Sequence, residues 1–181
     1  MLRRPDIYYL EEAFKTARDL SQDPNTQTGA VIVNPEGKII SRGANRLHWR
    51  LRKIYGEEPP QELVQRPLKY TALTHAERDA VFSANREGKS LIGCTIYTTW
   101  ASCSFCAEVV INNGIVKVVT HQSTTDWYDE ARKDIEGRQD WSESIKRAIS
   151  AFEDNNIIYQ CLTKPIKGIE IIFDDKRRSP K

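Results

Sequence analysis

The sequence predicts an α/β domain on a five-stranded mixed sheet, and three observations predict it. Short apolar runs alternate with segments of helical periodicity. No internal repeat or low-complexity tract interrupts that alternation. A helical segment also separates the last two strand-like runs, so the fourth and fifth strands need a crossover and should lie parallel. With 181 residues, 39% of them apolar and 29% charged, the chain can bury one core and is too short for two full-sized domains.

Ile7, Leu10, Phe14 and Ala17 share one face of a first helix, which Asp23-Pro24-Asn25 ends. Ala30 to Val33 reads as a strand, Asn34-Pro35-Glu36-Gly37 as a turn, and Lys38 to Arg42 as the antiparallel partner. From Ala44 to Thr74 the pattern breaks down around Trp49, Tyr55, Pro59, Pro60 and Pro67. This is long for a bare loop and predicts a functional insertion over about residues 46–73.

A second helix follows from His75 to Asn85, a strand from Thr95 to Trp100, a helix from Cys103 to Asn113 ended by Gly114, and a strand from Val116 to Thr120. Beyond a polar stretch from Gln122 to Gln139, Asp140 and Glu143 resemble a capping box. There Trp141, Ile145, Ala148, Ile149 and Phe152 mark one helix face, and Ile157 to Leu162 supplies the fifth strand. The expected organisation is a single domain over residues 1–163 and a tail over 164–181. The tail has a short strand-like run from Ile169 to Phe173 and otherwise reads as a solvated terminus.

Twenty-seven basic against 25 acidic residues leave a net charge of +2, so no general field draws the chain to nucleic acid or anionic lipid. The amino-terminal residues lack an apolar signal-peptide core, and no run approaches the roughly 20 apolar residues of a membrane span. The expectation is a cytoplasmic protein without a membrane partner. In that compartment Cys94, Cys103, Cys106 and Cys161 are thiols or metal ligands rather than a disulfide framework.

The chemistry concentrates where two predicted helices begin. His75-Ala76-Glu77 opens one, Cys103-Ser104-Phe105-Cys106 opens the next, and 25 residues lie between Glu77 and Cys103. One imidazole and two thiolates suit a tetrahedral Zn²⁺, and three protein ligands leave the fourth position for water, the arrangement of a catalytic site. The helix N-termini favour thiolates and hydroxide there. Glu77 is a poor fourth ligand from the same turn as His75, but it can exchange a proton with the water and so is the expected general acid/base.

With these residues assembled, the H-x-E and C-x-x-C pair resembles the signature of the zinc-dependent cytidine and deoxycytidylate deaminase superfamily, over roughly Ile7 to Leu162. Within it the chain is most similar to the deoxycytidylate (dCMP) deaminases. Asp23-Pro24-Asn25-Thr26-Gln27-Thr28-Gly29-Ala30 resembles their D-P-x-T-Q-V-G-A segment, Gly43-Ala44-Asn45 stands at their G-Y-N-G, and Gly93-Cys94-Thr95-Ile96-Tyr97 resembles G-C-T-L-Y.

The resemblance implies a three-layer α-β-α fold, one zinc per chain, a homo-oligomer, and hydrolysis of dCMP to dUMP and ammonia. Hydroxide on the zinc would attack C4 while Glu77 protonates N3. It also implies substrate contacts from Asn45 to the deoxyribose, from the Ala76 N–H to the ring, and from Thr26, Trp100 and Ala101. Trp100-Ala101-Ser102-Cys103 is similar to the W-S-P-C of polynucleotide deaminases, in which the aromatic walls the base pocket. The parallel last strands agree with the nucleotide and polynucleotide branches rather than the free-cytidine branch.

Several positions depart from the pattern. Ser102 replaces the usual Pro and is expected to cap the helix. Asp79 replaces the frequent Asn and is expected to bring a second carboxylate near the site. Arg46-Leu47 replaces the Gly-Phe associated with a triphosphate effector. The insertion holds His48 but no Cys, so a second, structural zinc is not expected.

Arg46, Arg50, Arg52, Lys53, Lys69 and Arg78 are candidates for a 5′-phosphate, Trp127 and Tyr128 for an interface, and His121, Cys94 and Cys161 for structural roles. Two further readings stay open at this point. One is a deaminase of single-stranded nucleic acid or of a modified nucleotide, favoured by Trp100 and the basic end Lys176-Arg177-Arg178; the other is a non-catalytic zinc module of the same fold.

Overall fold

The computed structural model describes residues 4–56, 58–131 and 139–181. Helix α1 (Asp6–Leu20) leads into the hairpin β1 (Gly29–Val33) and β2 (Ile39–Ala44). The insertion is ordered as β3 (Arg46–Leu47), α2 (Trp49–Tyr55), α3 (Gln61–Val64), α4 (Lys69–Ala72) and β4 (Leu73–Thr74). Then come α5 (Ala76–Arg86), β5 (Thr95–Thr98), α6 (Ser104–Asn112), β6 (Lys117–His121), α7 (Gln122–Ala131), α8 (Ser142–Asp154), β7 (Ile158–Leu162), β8 (Ile171–Phe173) and β9 (Lys176–Arg178).

The five main strands lie in the order β2-β1-β5-β6-β7. The β2, β1 and β5 pairings are antiparallel, and β5-β6 and β6-β7 are parallel, with Val118 opposite Tyr159. The crossover through α8 thus gives the fourth and fifth strands of the sheet the parallel relation that the sequence requires.

Alternation along the strands sorts side chains into two cores. Ala30, Ile32, Ile96 and Val118 face one core with residues of α5, α6 and α8. Val31, Val33, Tyr97 and Val119 face the other, beneath α1, α7 and the carboxy-terminal segment. The result is three layers, helices on both faces of one sheet. The insertion has its own small core of Leu47, Val64, Ala72 and Leu73.

Gly43 shows how closely the layers approach. A Cβ there would sit 2.2 Å from the Ala80 nitrogen and 2.4 Å from the Ala76 carbonyl, so only glycine lets the first turns of α5 rest directly on β2. That contact fixes the helix from which the chemistry is presented.

Segment 164–181 differs from the expected solvated terminus. Ile166, Ile169, Ile171 and Phe173 are buried in the second core, and β8 pairs β9 through a two-residue turn at Asp174 and Asp175, whose φ angles are 55° and 62°. Positive φ at both positions is the primed turn that matches strand twist, and Asp tolerates it.

The interface reading of Trp127 and Tyr128 is also corrected. They are 8% and 2% exposed, because α7 folds the polar stretch down onto this core. The rest of that stretch, 132–138, lies outside the described residues.

His121 and Cys94 are buried, while Cys161 is exposed on the edge strand β7. Among the described residues no helix is long and apolar enough to cross a membrane.

Candidate active site

His75 is the N-cap of α5 and Cys103 the N-cap of α6, with Cys106 in the first turn that follows. The closing elements of the sheet bring these two helix starts together. His75 Nδ1 lies 3.4 Å from Cys103 Sγ and 3.5 Å from Cys106 Sγ, and the two sulfurs are 3.5 Å apart. Zn–S bonds of about 2.3 Å and Zn–N bonds of about 2.0–2.1 Å give a tetrahedron edges of about 3.6–3.8 Å, so the three donors fit zinc with little movement. Among the described residues they form a single such cluster.

The electrostatics suit a cation. A hydrogen bond from Cys106, reinforced by His75, draws the Cys103 thiol down to about 4, and burial with the adjacent sulfur pushes Cys106 well up. Burial resists charge on His75, but its contact with Cys103 outweighs that and raises it. Glu77, 6% exposed in the first turn of α5, is raised by burial and then by the charge of Cys103. A carboxyl raised in this way holds a proton more readily than a free one, as a group that takes up and returns a proton must.

Glu77, His75 and Cys103 line one pocket with Asn45, Thr26, Trp100 and Ala101, three of these seven coming from the two motif segments. Ala76 is the fully buried first residue of α5, beside Glu77, and does not line the pocket. Trp100 forms part of the wall, wedged 5.0 Å from the Tyr128 ring and 5.3 Å from that of Phe173.

Asn45 does more than the resemblance implies. Its Oδ1 accepts from the Thr28 N–H at 2.8 Å and from the Ser21 hydroxyl at 2.6 Å. Its Nδ2 donates to the Thr26 carbonyl at 2.6 Å and to Asp23 at 3.3 Å. All four of its hydrogen-bonding positions are engaged, so Asn45 clasps the loop 21–28 that walls the pocket, and a sugar contact there would have to displace one of these bonds.

Two of the departures act differently from expectation. Ser102 does not cap α6: the Ser104 N–H is met instead by the Ser144 hydroxyl of α8 at 3.0 Å, and Ser102 is buried beside Glu77. Asp79 turns away from the pocket toward the insertion and receives Arg46 and Arg52. At α8, Asp140 accepts from the Ser142 N–H, but Glu143 pairs with Lys146 rather than closing a capping box.

Of the proposed phosphate residues only Lys69 lines the pocket, with Nζ 2.9 Å from both oxygens of Asp23. Arg46 and Arg52 are held by Asp79, Lys53 lies over the Trp49 ring at 4.2 Å, Arg78 lies over Phe82, and Arg50 is exposed.

Sequence reasoning missed Arg66, Tyr70 and Trp141, all on the pocket wall. Trp141 meets the His75 ring edge-on at 5.2 Å and Tyr70 at 6.3 Å, so three aromatic residues surround the site. Trp141 shares the apolar periodicity of α8, which hid it among the core residues of that face. Arg66 and Tyr70 sit in the insertion, where no period marks them.

Residues 3–122 match the model of the cytidine and deoxycytidylate deaminase zinc-binding region, a span that contains the whole ligand set. The chain belongs to this deaminase family. The family is a zinc-binding one, and His75, Cys103 and Cys106 are positioned to hold the metal ion. The deaminase is 34% identical over 120 residues to an uncharacterized deaminase in the luxG 3′ region of Aliivibrio fischeri, covering 66% of this chain and 75% of that protein.

It is 33% identical over 121 residues to the deoxycytidylate deaminase of Homo sapiens, covering 62% and 61%. It therefore spans about three fifths of that relative's length. The fold is shared with the dCMP deaminase of cyanophage S-TIM5, solved with dCMP and dUMP, at a TM-score of 0.61 and 16% identity over 89% of this chain and all of the phage chain.

Proposed function

We propose that this deaminase hydrolyses the 4-amino group of a deoxycytidine monophosphate, converting dCMP and water to dUMP and ammonia. The observation that carries the reading is the meeting, in one pocket, of the zinc ligands His75 and Cys103, a buried carboxyl with a raised proton affinity and flat aromatic walls. The named deoxycytidylate deaminase relatives support the choice of base and sugar.

A zinc ion on His75, Cys103 and Cys106 supplies a Lewis acid that makes water nucleophilic at neutral pH. Glu77 would take the first proton of this water and deliver it to N3 of the pyrimidine as the oxygen adds to C4. It would then take the second proton from the resulting C4 hydroxyl and give it to the amine, so that the C4–N bond breaks, ammonia leaves and the C4 carbonyl forms with N3 still protonated. Trp100, Tyr70 and Trp141 exclude water and hold the base by its faces. Thr26 and Ala101 shape the pocket beside them. The substrate is a soluble nucleotide, and the enzyme works in the cytoplasm.

The test is ammonia release by zinc-quantified protein from dCMP, CMP, dCTP, deoxycytidine, 5-methyl-dCMP, purine monophosphates and a single-stranded oligonucleotide. Turnover of dCMP above the others is expected. Stoichiometric zinc with no ammonia from any deoxycytidine nucleotide would overturn the proposal, and turnover of the oligonucleotide alone would replace it with a polynucleotide substrate.

A further inference from the structure

Among the described residues, Lys69 and Arg66 are the lysine and arginine side chains lining the pocket. They differ in how their charge is met. Lys69 is 4% exposed and locked between both oxygens of Asp23 at 2.9 Å, with Asn25 Oδ1 at 3.3 Å. Its charge is neutralised where it stands.

Arg66 is held loosely. Its Nε reaches the Tyr70 hydroxyl at 3.3 Å, while Nη2 is 3.8 Å from Asp174 and Nη1 is 3.6 Å from Asp175. Ion pairs elsewhere in the chain, such as Lys117 with Asp6 and Arg178 with Glu130, close to 2.7–2.8 Å. The two carboxylates therefore keep a counter-charge near Arg66 without making short hydrogen bonds to its Nη donors. A guanidinium offers a planar pair of donors that matches two oxygens of a phosphate.

The carboxylates come from the β8–β9 turn, which lies beyond the residues matched by the family model. That turn is fastened to the pocket loop: the Asp174 N–H meets the Thr26 hydroxyl at 3.4 Å and the Asp175 N–H donates to the Asn25 carbonyl at 2.8 Å. The hairpin thus sets where Arg66 stands relative to the base pocket.

Resting on the proposed deamination of a nucleotide, we infer that Arg66 binds the 5′-phosphate of the substrate and makes the site selective for a nucleoside monophosphate over the free nucleoside. The phosphate, as a dianion, takes the two Nη donors that Asp174 and Asp175 hold at long range. Lys69 stays with Asp23 and shapes the pocket wall.

The test compares dUMP and deoxyuridine by calorimetric titration into the zinc-loaded full chain, together with kcat/KM on dCMP, for wild type, Arg66→Gln and Arg66→Lys. The expected result for Arg66→Gln is a loss of about 10- to 100-fold in dUMP affinity with deoxyuridine within about twofold, the range for a hydrogen bond to a charged group. Arg66→Lys, which keeps charge but not the planar fork, should fall between, and it carries the test should Arg66→Gln not fold.

If wild type turns over dCMP and Arg66→Gln still prefers dUMP as strongly, the inference is overturned while the proposed reaction stands. Equal loss of dUMP and deoxyuridine binding would likewise refute it and make Arg66 structural. A wild type that neither deaminates dCMP nor binds dUMP would remove both readings.

Discussion

Asp79 accepts a 2.7 Å hydrogen bond from the Arg46 guanidinium and, through its other oxygen, a 3.0 Å bond from Arg52. The carboxylate is 2% exposed and also receives the Ala44 N–H at 3.2 Å. It joins α5, the end of β2 and the first helix of the insertion. Asp79 and Arg46, two of the departures from the pattern, therefore pair with each other and anchor the insertion, and Asp79 does not line the zinc pocket.

Asp79→Asn, although it restores the common family residue, should destabilise this protein by about 3 kcal/mol, because it leaves two largely buried guanidinium groups with a neutral partner. Chemical denaturation measures the cost. Zinc content at low temperature should stay at wild-type level, and a variant that loses zinc while remaining as stable as wild type would place Asp79 at the metal after all.

Phe173 shows the weight of the carboxy-terminal hairpin. It is fully buried, 5.3 Å from the Trp100 ring and 5.6 Å from that of Trp127. Phe173→Ala should cost about 3–5 kcal/mol, the usual range for emptying an aromatic site in a core. Activity should fall more than stability accounts for, since Trp100 loses its backing. Unchanged thermal stability would return 164–181 to the solvated terminus that its polarity suggests.

The sheet and zinc site were legible because their signals are local. Alternation at Ala30 to Val33, helical spacing at Ile7 to Ala17, and ligands at two helix starts each occupy a few adjacent residues. In the tail the strand-like run from Ile169 to Phe173 was legible and contains β8, but its burial was not, because the four buried apolar residues of 164–181 stand among Lys164, Lys167, Glu170 and Lys176, and only contact with α1 and α7 makes them core.

The direction of Asp79 was equally hidden. Its spacing from His75 puts it one turn along α5, but whether it faces zinc or insertion depends on arginines more than 25 residues away in the chain. Arg66, Tyr70 and Trp141 reached the pocket through tertiary packing that no periodicity encodes.

His121 gives the protein a pH dependence of known sign. It is fully buried in β6: Nε2 donates to the Lys164 carbonyl at 3.0 Å and Nδ1 accepts from the Ser123 N–H at 3.2 Å, so the neutral ring is satisfied on both sides. Burial lowers its pKa below the ordinary 6.5, against the opposing pull of the Lys164 carbonyl. Because the folded value is depressed, its contribution to stability is complete above the unfolded pKa and is lost as pH falls through the folded one. Thermal unfolding from about pH 8 down to about pH 5 should therefore show a steeper loss for wild type than for His121→Gln. Parallel profiles would mean that His121 does not titrate in this range.

Glu77→Gln and Cys103→Ala separate the two functions of the zinc pocket. Gln fills the volume of Glu and leaves the three donors untouched, but it cannot take or return a proton. Stoichiometric zinc with turnover reduced by about 10²–10⁴-fold is therefore expected. Cys103→Ala removes a ligand whose sulfur lies within 3.5 Å of both other donors, and a two-ligand remnant does not hold zinc against a chelator. Because metal binding and folding draw on the same free energy, this variant should lose stability as well as activity, and chelation of wild type should lower its melting temperature toward that of Cys103→Ala. Metal analysis and thermal denaturation of both variants decide the matter. Retained stoichiometric zinc in Cys103→Ala would refute the ligand assignment, and wild-type turnover in Glu77→Gln would remove Glu77 from the chemistry.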